Sequence, residues 1–492
     1  MRTRAQIPST SWRRGLALLG LTALATCAGP EPGSASAVSR HASASPRHAS
    51  ASPGHASVSP DHASVSPRHA SASPYPTAAQ RPRKLALPSQ FARSSGNGGS
   101  SAPVGAKAKT KRSKRKPKAP VLHGNPARAL LAYKAMQESF YIPGTGLYEG
   151  EPYSYLWPFS QALAATISVS NIRGQQARQA AAYPHELHVR LYGLAKYWGP
   201  AGQTLPGAQP EGEEEPEGSE SGAVAGIAPT SLPSYNGNVA PPGGVSYYDD
   251  NEWVGIELAR LYKLRHEPQL LEQAEQVMAF VMSGWQTNPR LACPGGVPFS
   301  NSPANTDRNT VTDGPAAELG VQLYKLTNDV AYLQFALMAY EWTRACLLQS
   351  NGLYADHIRP HGVIGEALWS YNQGSMIGAG VLLYQATHDG AYLYQARQTA
   401  KAALSFFTME RLLSENPFFP SVYFRNLLYL DSVTHDPPGA RLVQAYVDHV
   451  WVNQRLKSNL FAFGSPPSSQ LLYQAAVAQI YALLSTPAST YF

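Results

Sequence analysis

The chain has 492 residues, a formal net charge of +8, 10% aromatic residues and three cysteines. Lys107, Lys109, Lys111, Arg112, Lys114, Arg115, Lys116 and Lys118 equal the whole net charge in number, so the positive balance belongs to one short run. No nucleic-acid partner is expected on that basis; contact of the run with anionic polymers of a cell envelope fits it better.

At the amino terminus, Arg2, Arg4, Arg13 and Arg14 precede an apolar stretch from Gly15 to Ala25. That layout predicts a signal peptide over 1–27, too short in its apolar part to span a membrane as a mature helix. Cleavage after Ala23-Leu24-Ala25 is expected, and Arg13-Arg14 hints at twin-arginine export. Leu24-Ala25-Thr26-Cys27 also resembles a lipobox, with Thr26 where a smaller residue is usual. The expected location is secreted or attached to the cell envelope. No later stretch reaches about 18 consecutive apolar residues.

Residues 28–120 are rich in Ala, Ser, Pro and His. His41, His48, His55, His62 and His69 recur every seven residues, but Pro46, Pro53, Pro60, Pro67 and Pro74 forbid a coiled coil. An extended linker ending in the basic run is expected. The folded domain should cover 121–492. A Gly/Pro/Ser-rich insertion at about 199–244, carrying Glu211, Glu213, Glu214, Glu215, Glu217 and Glu220, reads as a disordered acidic loop.

Within the domain an internal repeat stands out. Leu261-Tyr262-Lys263-Leu264-Arg265-His266-Glu267 matches Leu323-Tyr324-Lys325-Leu326-Thr327-Asn328-Asp329 and Leu383-Tyr384-Gln385-Ala386-Thr387-His388-Asp389. Their starts lie 62 and 60 residues apart, the span of two helices and their loops. Helices are predicted over 125–139, 157–169, 176–197, 251–264, 268–284, 313–326, 330–348, 373–387, 390–411, 418–430, 438–456 and 467–485. Pro184 and Pro420 weigh against the third and tenth. A solenoid needs polar terminal faces, whereas Leu471 to Leu484 is apolar on most sides. The fold class is therefore all-α, an (α/α)6 toroid of about twelve helices.

Asp249 and Asp250 stand side by side before one of these helices. Two neighbouring carboxylates do not ionise together readily, and separated pKa values would let them divide acid and nucleophile or base roles. Helix capping is the plainer reading of acids at such a place. Other polar and aromatic segments precede predicted helices: Trp157 to Gln161, Arg308 to Pro315 and Trp369 to Gly374. Trp157, Trp253, Trp369 and Tyr371 could supply faces for sugar C–H surfaces, and Gln161, Asn309, Asp356, Asn372 and Gln373 hydrogen bonds to hydroxyls. There is no Gly-rich phosphate loop, zinc spacing or Gly-x-Ser-x-Gly elbow in this part. Cys293 and Cys346 could pair in an oxidising compartment or stay as thiols; their spacing demands neither.

These segments make the chain resemble glycoside hydrolase family 76, the endo-α-1,6-mannanases. The matching residues are Tyr248-Asp249-Asp250-Asn251-Glu252-Trp253, Asn309 to Glu318, Gly352-Leu353-Tyr354-Ala355-Asp356 and Tyr371-Asn372-Gln373-Gly374, in the family's order across roughly 124–486. The resemblance implies the (α/α)6 fold, retention of anomeric configuration, no metal or other cofactor, and mannan or its oligosaccharides as substrate. It implies Asp249 as nucleophile and Asp250 as general acid/base, with Tyr248 among the substrate-binding residues. Val297-Pro298-Phe299 follows Gly295-Gly296 where the family usually has a tryptophan. A retaining pair should sit about 5–5.5 Å apart, which favours a loop–helix junction over a helix interior. A monomer is expected. The rival readings are another toroidal sugar enzyme (an epimerase or an unsaturated glycuronyl hydrolase) and a non-catalytic glycan-binding protein.

Overall fold

The computed structural model describes residues 123–172, 182–200, 232–241 and 243–492, all within the unit Thr110–Phe492. The signal peptide, the linker with its basic run, and the insertion's glutamates lie outside the described residues.

Among the described residues thirteen α-helices form. They are α1 (Gly124–Phe140), α2 (Leu156–Ser170), α3 (Ala182–Leu194), α4 (Tyr248–Arg265), α5 (Pro268–Ser283), α6 (Thr310–Thr327) and α7 (Val330–Leu347). Then follow α8 (Ser370–Thr387), α9 (Gly390–Phe406), the short α10 (Met409–Ser414), α11 (Phe418–Thr434), α12 (Pro438–Asn453) and α13 (Leu471–Leu483). Helices α3 and α11 form despite Pro184 and Pro420, because each proline falls in a first turn, where its missing N–H costs nothing. Residues 176–181 of the third predicted helix are outside the description.

The repeat is a helix-to-helix junction. His266, Asn328 and His388 end α4, α6 and α8 in the left-handed conformation (φ 56°, 62° and 59°), and their N–H groups donate to Tyr262, Tyr324 and Tyr384 O. His435 ends α11 the same way. Asn tolerates this conformation better than most residues. Asp329 and Asp389 then cap α7 and α9, accepting from Ala331 N and Ala391 N at 2.9 Å.

Helices α2, α4, α6, α8, α11 and α13 are buried on nearly every side, and each packs on the next, with α13 closing on α2. The outer helices α1, α3, α5, α7, α9 and α12 bury one stripe against this ring. Side chains of the inner helices meet at equal depth. Trp157 near the start of α2 touches Phe418 at the start of α11, while Arg260 and Ser168 meet near the far ends of α4 and α2. The inner helices therefore run parallel, and their N-termini gather at one mouth. This is the expected (α/α)6 toroid.

Close approach within the ring uses glycine. A β-carbon on Gly374 would come within 2.6 Å of the Tyr423 Cα, and one on Gly378 would overlap Asn426 and Glu318. The Gly374 of the Tyr-Asn-Gln-Gly segment is thus a packing residue between α8 and α11.

Five short strands lie among the loops. β1 (Trp198–Pro200) pairs antiparallel with β2 (Pro233–Tyr235), and β3 (Arg308–Asn309), β4 (His357–Ile358) and β5 (Ile364–Gly365) form an antiparallel sheet in that order. The first pair corrects the limits of the expected loop at 199–244. Its edges are built, with Ser234, Tyr235 and Asn236 buried beneath the mouth. Cys293 and Cys346 are joined by a disulfide with Cα atoms 6.1 Å apart, resolving the choice left open above.

One device recurs at the mouth. The fourth residue of an inner helix is a buried amide or acid that grips a crossing loop by its backbone. Asn251 of α4 accepts from Tyr235 N (2.8 Å) and donates to Tyr235 O (2.9 Å). Gln373 of α8 does the same with Tyr354 (2.8 and 2.9 Å), and Gln474 of α13 with Phe461 (2.9 and 2.6 Å). Asp313 of α6 accepts from Val297 N at 3.1 Å. Each replaces a missing neighbouring strand for a loop residue shut off from water. Gln474→Leu keeps the volume but leaves the Phe461 N–H unpaired, while its C=O keeps only the Ser469 hydroxyl. It is expected to cost about 1–3 kcal/mol of stability, read as a lower urea midpoint with an unchanged slope.

Candidate active site

Helix α4 begins at Tyr248, three residues before its predicted start, so Asp249 and Asp250 are the second and third residues of its first turn. The pair therefore stands just inside the helix and not on the loop before it. Both side chains are buried, 9% and 7% exposed. The N-cap residue is Tyr247, which makes no side-chain cap. The helix dipole at this end favours a negative charge on the pair.

Beneath the pair lies a layer of acids. Glu252, one turn deeper than Asp249, is fully buried, and neither of its carboxyl oxygens has a hydrogen-bond partner. Burial pushes its pKa well above the ordinary carboxylate range, and Asp249, Asp313 and Glu318 push it further. Burial raises Asp313 likewise, against the hydrogen bond from Val297 N and the charge of Arg308. Glu318 is pushed up to about 8 by burial, with Arg425 and Asn426 opposing. Deeper still, Glu257 holds both Arg260 (3.0 Å) and Arg425 (2.9 Å), and Arg425 lies 3.9 Å from Glu318. Glu257 occupies both arginines, so burial favours the protonated form of Glu252 and Asp313. A neutral Glu252 puts no like charge under Asp249.

The other expected residues divide into wall and framework. Trp157 and Tyr371 are half-buried at the mouth. Trp253 is buried edge-on to Phe418 at 5.6 Å, and with Gln161, Glu257, Ser421, Arg425 and Gln479 it lines a small cavity on the ring axis. The Gln161 amide oxygen accepts from Gln479 Nε2 at 3.1 Å. Asn309 precedes α6 but makes no cap, and its buried Oδ1 has no hydrogen-bond partner. Asn372 donates to Asp356 Oδ1 at 3.0 Å, and Asp356 Oδ2 lies 3.0 Å from His357 Nδ1. His357 continues the chain to Asp307 at 3.6 Å.

Of the expected substrate-binding residues, Tyr248, Asn372 and Gln373 are not exposed at the mouth. Tyr248 is 1% exposed and stacked on Phe280 (4.5 Å between centroids, 13° between planes). Gln373 is fully buried and its amide is taken up by Tyr354 and Trp369 backbone. Tyr248 and Gln373 are framework, for the same reason: an inner-helix side chain on the ring's packed face has no route to solvent.

Sequence reasoning did not single out Phe418, Phe419, Glu252, Glu318 or Arg425 as site residues. Phe418 and Phe419 open α11 just as Trp157 and the aspartates stand near the starts of α2 and α4, and that shared phase was the available signal. The buried acids carry no such mark. Among the described residues no group of three or more His, Cys, Asp or Glu is arranged to hold a metal ion.

Residues 232–430 match the model for Glycosyl hydrolase family 76. The chain's fold is that of a Bacteroides thetaiotaomicron protein described as glycoside hydrolase family 76 (mannosidase) Bt3792. That match has a TM-score of 0.61 and 19% identity, covering 73% of this chain and 98% of that one. The α-1,6-mannanase GH76A of Salegentibacter sp. HEL1_6, as an inactive variant in complex with α-1,6-mannotriose, aligns with a TM-score of 0.57 and 19% identity over 73% of this chain and 99% of that one. Among curated sequences, the mannan endo-1,6-alpha-mannosidase DCW1 of Saccharomyces cerevisiae is 25% identical over 151 residues, 29% of this chain. The match spans only 33% of that relative's length.

The raised acids give a stability signature. A carboxyl whose folded pKa exceeds its unfolded value binds its proton more tightly in the fold. Its contribution is complete below the unfolded pKa, near 4.5, and is lost as pH rises toward the folded value, about 8 for Glu318. The melting temperature should therefore fall between pH 4.5 and 8. Glu318→Gln should make that fall shallower, as measured by calorimetry across the range.

Proposed function

We propose that this protein is a retaining glycoside hydrolase acting on α-1,6-mannosidic linkages in mannan. The observation that carries the reading is the buried Asp249–Asp250 pair in the first turn of a ring helix, inside the family 76 segment. The inactive Salegentibacter variant, whose structure holds α-1,6-mannotriose, has two adjacent aspartates changed to asparagine, which agrees with a neighbouring pair as the chemical centre.

The reaction runs in two steps. Asp249 attacks the anomeric carbon while Asp250 gives its proton to the departing glycosidic oxygen. Ionised Asp250 then takes a proton from water, and that water's oxygen displaces Asp249 from the anomeric carbon, restoring both carboxyls. The work needs Asp249 charged and Asp250 neutral at the start. The α4 N-terminus favours the charge on Asp249, and the protonated Glu252 beneath it adds no repulsion. Trp157 and Tyr371 offer apolar faces, and Asn309 and Asp356 polar contacts, for the sugar, with the fully buried Asn372 holding Asp356.

In this reading residues 1–27 export the chain and residues 28–120 act as a spacer, with the basic run facing anionic envelope polymers. No described helix is long and apolar enough to cross a membrane.

The test is digestion of linear α-1,6-mannan, followed by anomer analysis of the first products. The expected outcome is release of reducing α-mannosides with retained configuration. Asp249→Asn and Asp250→Asn should each lower kcat by about a thousandfold or more while leaving the melting curve intact. Near-normal cleavage by either variant would remove the assignment. Binding of the mannan by the wild type without cleavage would favour the glycan-binding alternative.

A further inference from the structure

The start of α8 is held from outside the helix. Its N-cap residue, Trp369, provides no side-chain cap. Glu415, in the connection between α10 and α11, does so instead. Its Oε1 accepts from Ser370 N at 3.0 Å and its Oε2 from Ser370 Oγ. A carboxylate placed there satisfies a free N–H of the first turn and meets the positive end of the helix dipole.

This contact joins two segments that together form one side of the mouth. Next to Ser370 is Tyr371; four residues after Glu415 is Phe419. Their rings are stacked, 4.1 Å between centroids and 18° between planes. Trp369 leans on Phe419 at 5.5 Å, and Phe418 meets Trp157 edge-on at 5.2 Å. Trp369, Tyr371 and Phe419 are each half-buried, so part of every ring faces solvent. A flat aromatic surface of this kind suits the C–H face of a pyranose.

We propose that Phe419, together with Tyr371, is a sugar-stacking wall beside the aspartate pair, and that Glu415 is the positioning residue that holds this wall through Ser370. The proposal rests on the mannanase reading and adds residues to its substrate contacts. Glu415 has no ion-pair partner among the described residues. The titratable groups facing it are the tyrosines Tyr423 of α11 and Tyr446 of α12, both neutral near pH 7. Burial pushes Glu415 up to about 7, with the two Ser370 bonds opposing. Its accepting, ionised form is therefore depleted as pH falls through 7, and the hold on α8 weakens.

The test is steady-state hydrolysis of α-1,6-mannotetraose by the full chain between pH 6 and 8. Phe419→Ala is expected to raise KM about 3- to 10-fold with kcat little changed, and Phe419→Tyr to restore the wild-type KM. If Phe419→Ala melts early, Phe419→Leu carries the same expectation without the cavity. The wild-type KM should rise as pH falls from 8 to 6. In Glu415→Ala it should be raised throughout and flat with pH, a result that a merely structural role would not produce. An unchanged KM in a folded Phe419→Leu protein, or an intact pH dependence of KM in Glu415→Ala, would overturn the proposal while wild-type cleavage still upheld the mannanase reading. A wild type that cleaves no α-1,6-mannoside would overturn both.

Discussion

The structure depends on how loop backbone is satisfied where water is excluded. Closing six parallel helices into a ring brings all their N-termini to one end, and the connecting loops must cross there. Their N–H and C=O groups are buried without a continuous sheet to receive them. Asn251, Asp313, Gln373 and Gln474, each the fourth residue of its helix and each fully buried, take that place by bonding to Tyr235, Val297, Tyr354 and Phe461. An unpaired buried backbone group costs about 1–3 kcal/mol, so these grips leave the loops little freedom. The aspartate pair precedes Asn251 by one and two residues and inherits its position.

A second consequence of closure is the charge arrangement on the ring axis. Side chains from neighbouring helices converge there, and acids outnumber the available arginines. Glu257 takes both Arg260 and Arg425, and burial without a close cation favours the protonated form of Glu252 and Asp313. Neutral carboxyls are far cheaper to bury than charged ones. The same arrangement spares Asp249 a charged neighbour below it. The electrostatics that the proposed chemistry needs thus follow from packing acids where few cations can reach.

The mouth is also tied together by rings. Phe418 contacts both Trp157 and Trp253, and Phe419 stacks on Tyr371, so α2, α4, α8 and α11 are linked by one aromatic cluster. Beside it runs the polar line Asn372–Asp356–His357–Asp307, which connects α8 to the small antiparallel sheet. The apolar and polar groups that the proposed function assigns to sugar binding therefore sit on separate, independently braced parts of the rim.

The sequence alone determined the helices, the repeat and the fold class. Leu-Tyr at the helix ends, the capping Asn or His and the following Asp are local signals, because a helix ends and begins by interactions within a few residues. Asp249 and Asp250 were visible for the same reason, as neighbours in the chain. Three helix starts were misread by three residues, at Tyr248, Thr310 and Ser370. Those first turns are polar and break the apolar period, yet they are buried. Only the tertiary structure decided which polar residues are framework and which face the mouth. Gln373 and Asn372 are adjacent, chemically alike and both fully buried, but one grips the Tyr354 backbone and the other holds the Asp356 side chain at the rim. It also decided that Glu252 is buried with its pKa pushed up and that Glu415 caps a helix 45 residues away. Exposure and charge state depend on what other segments bring to the same place, and no local pattern encodes that.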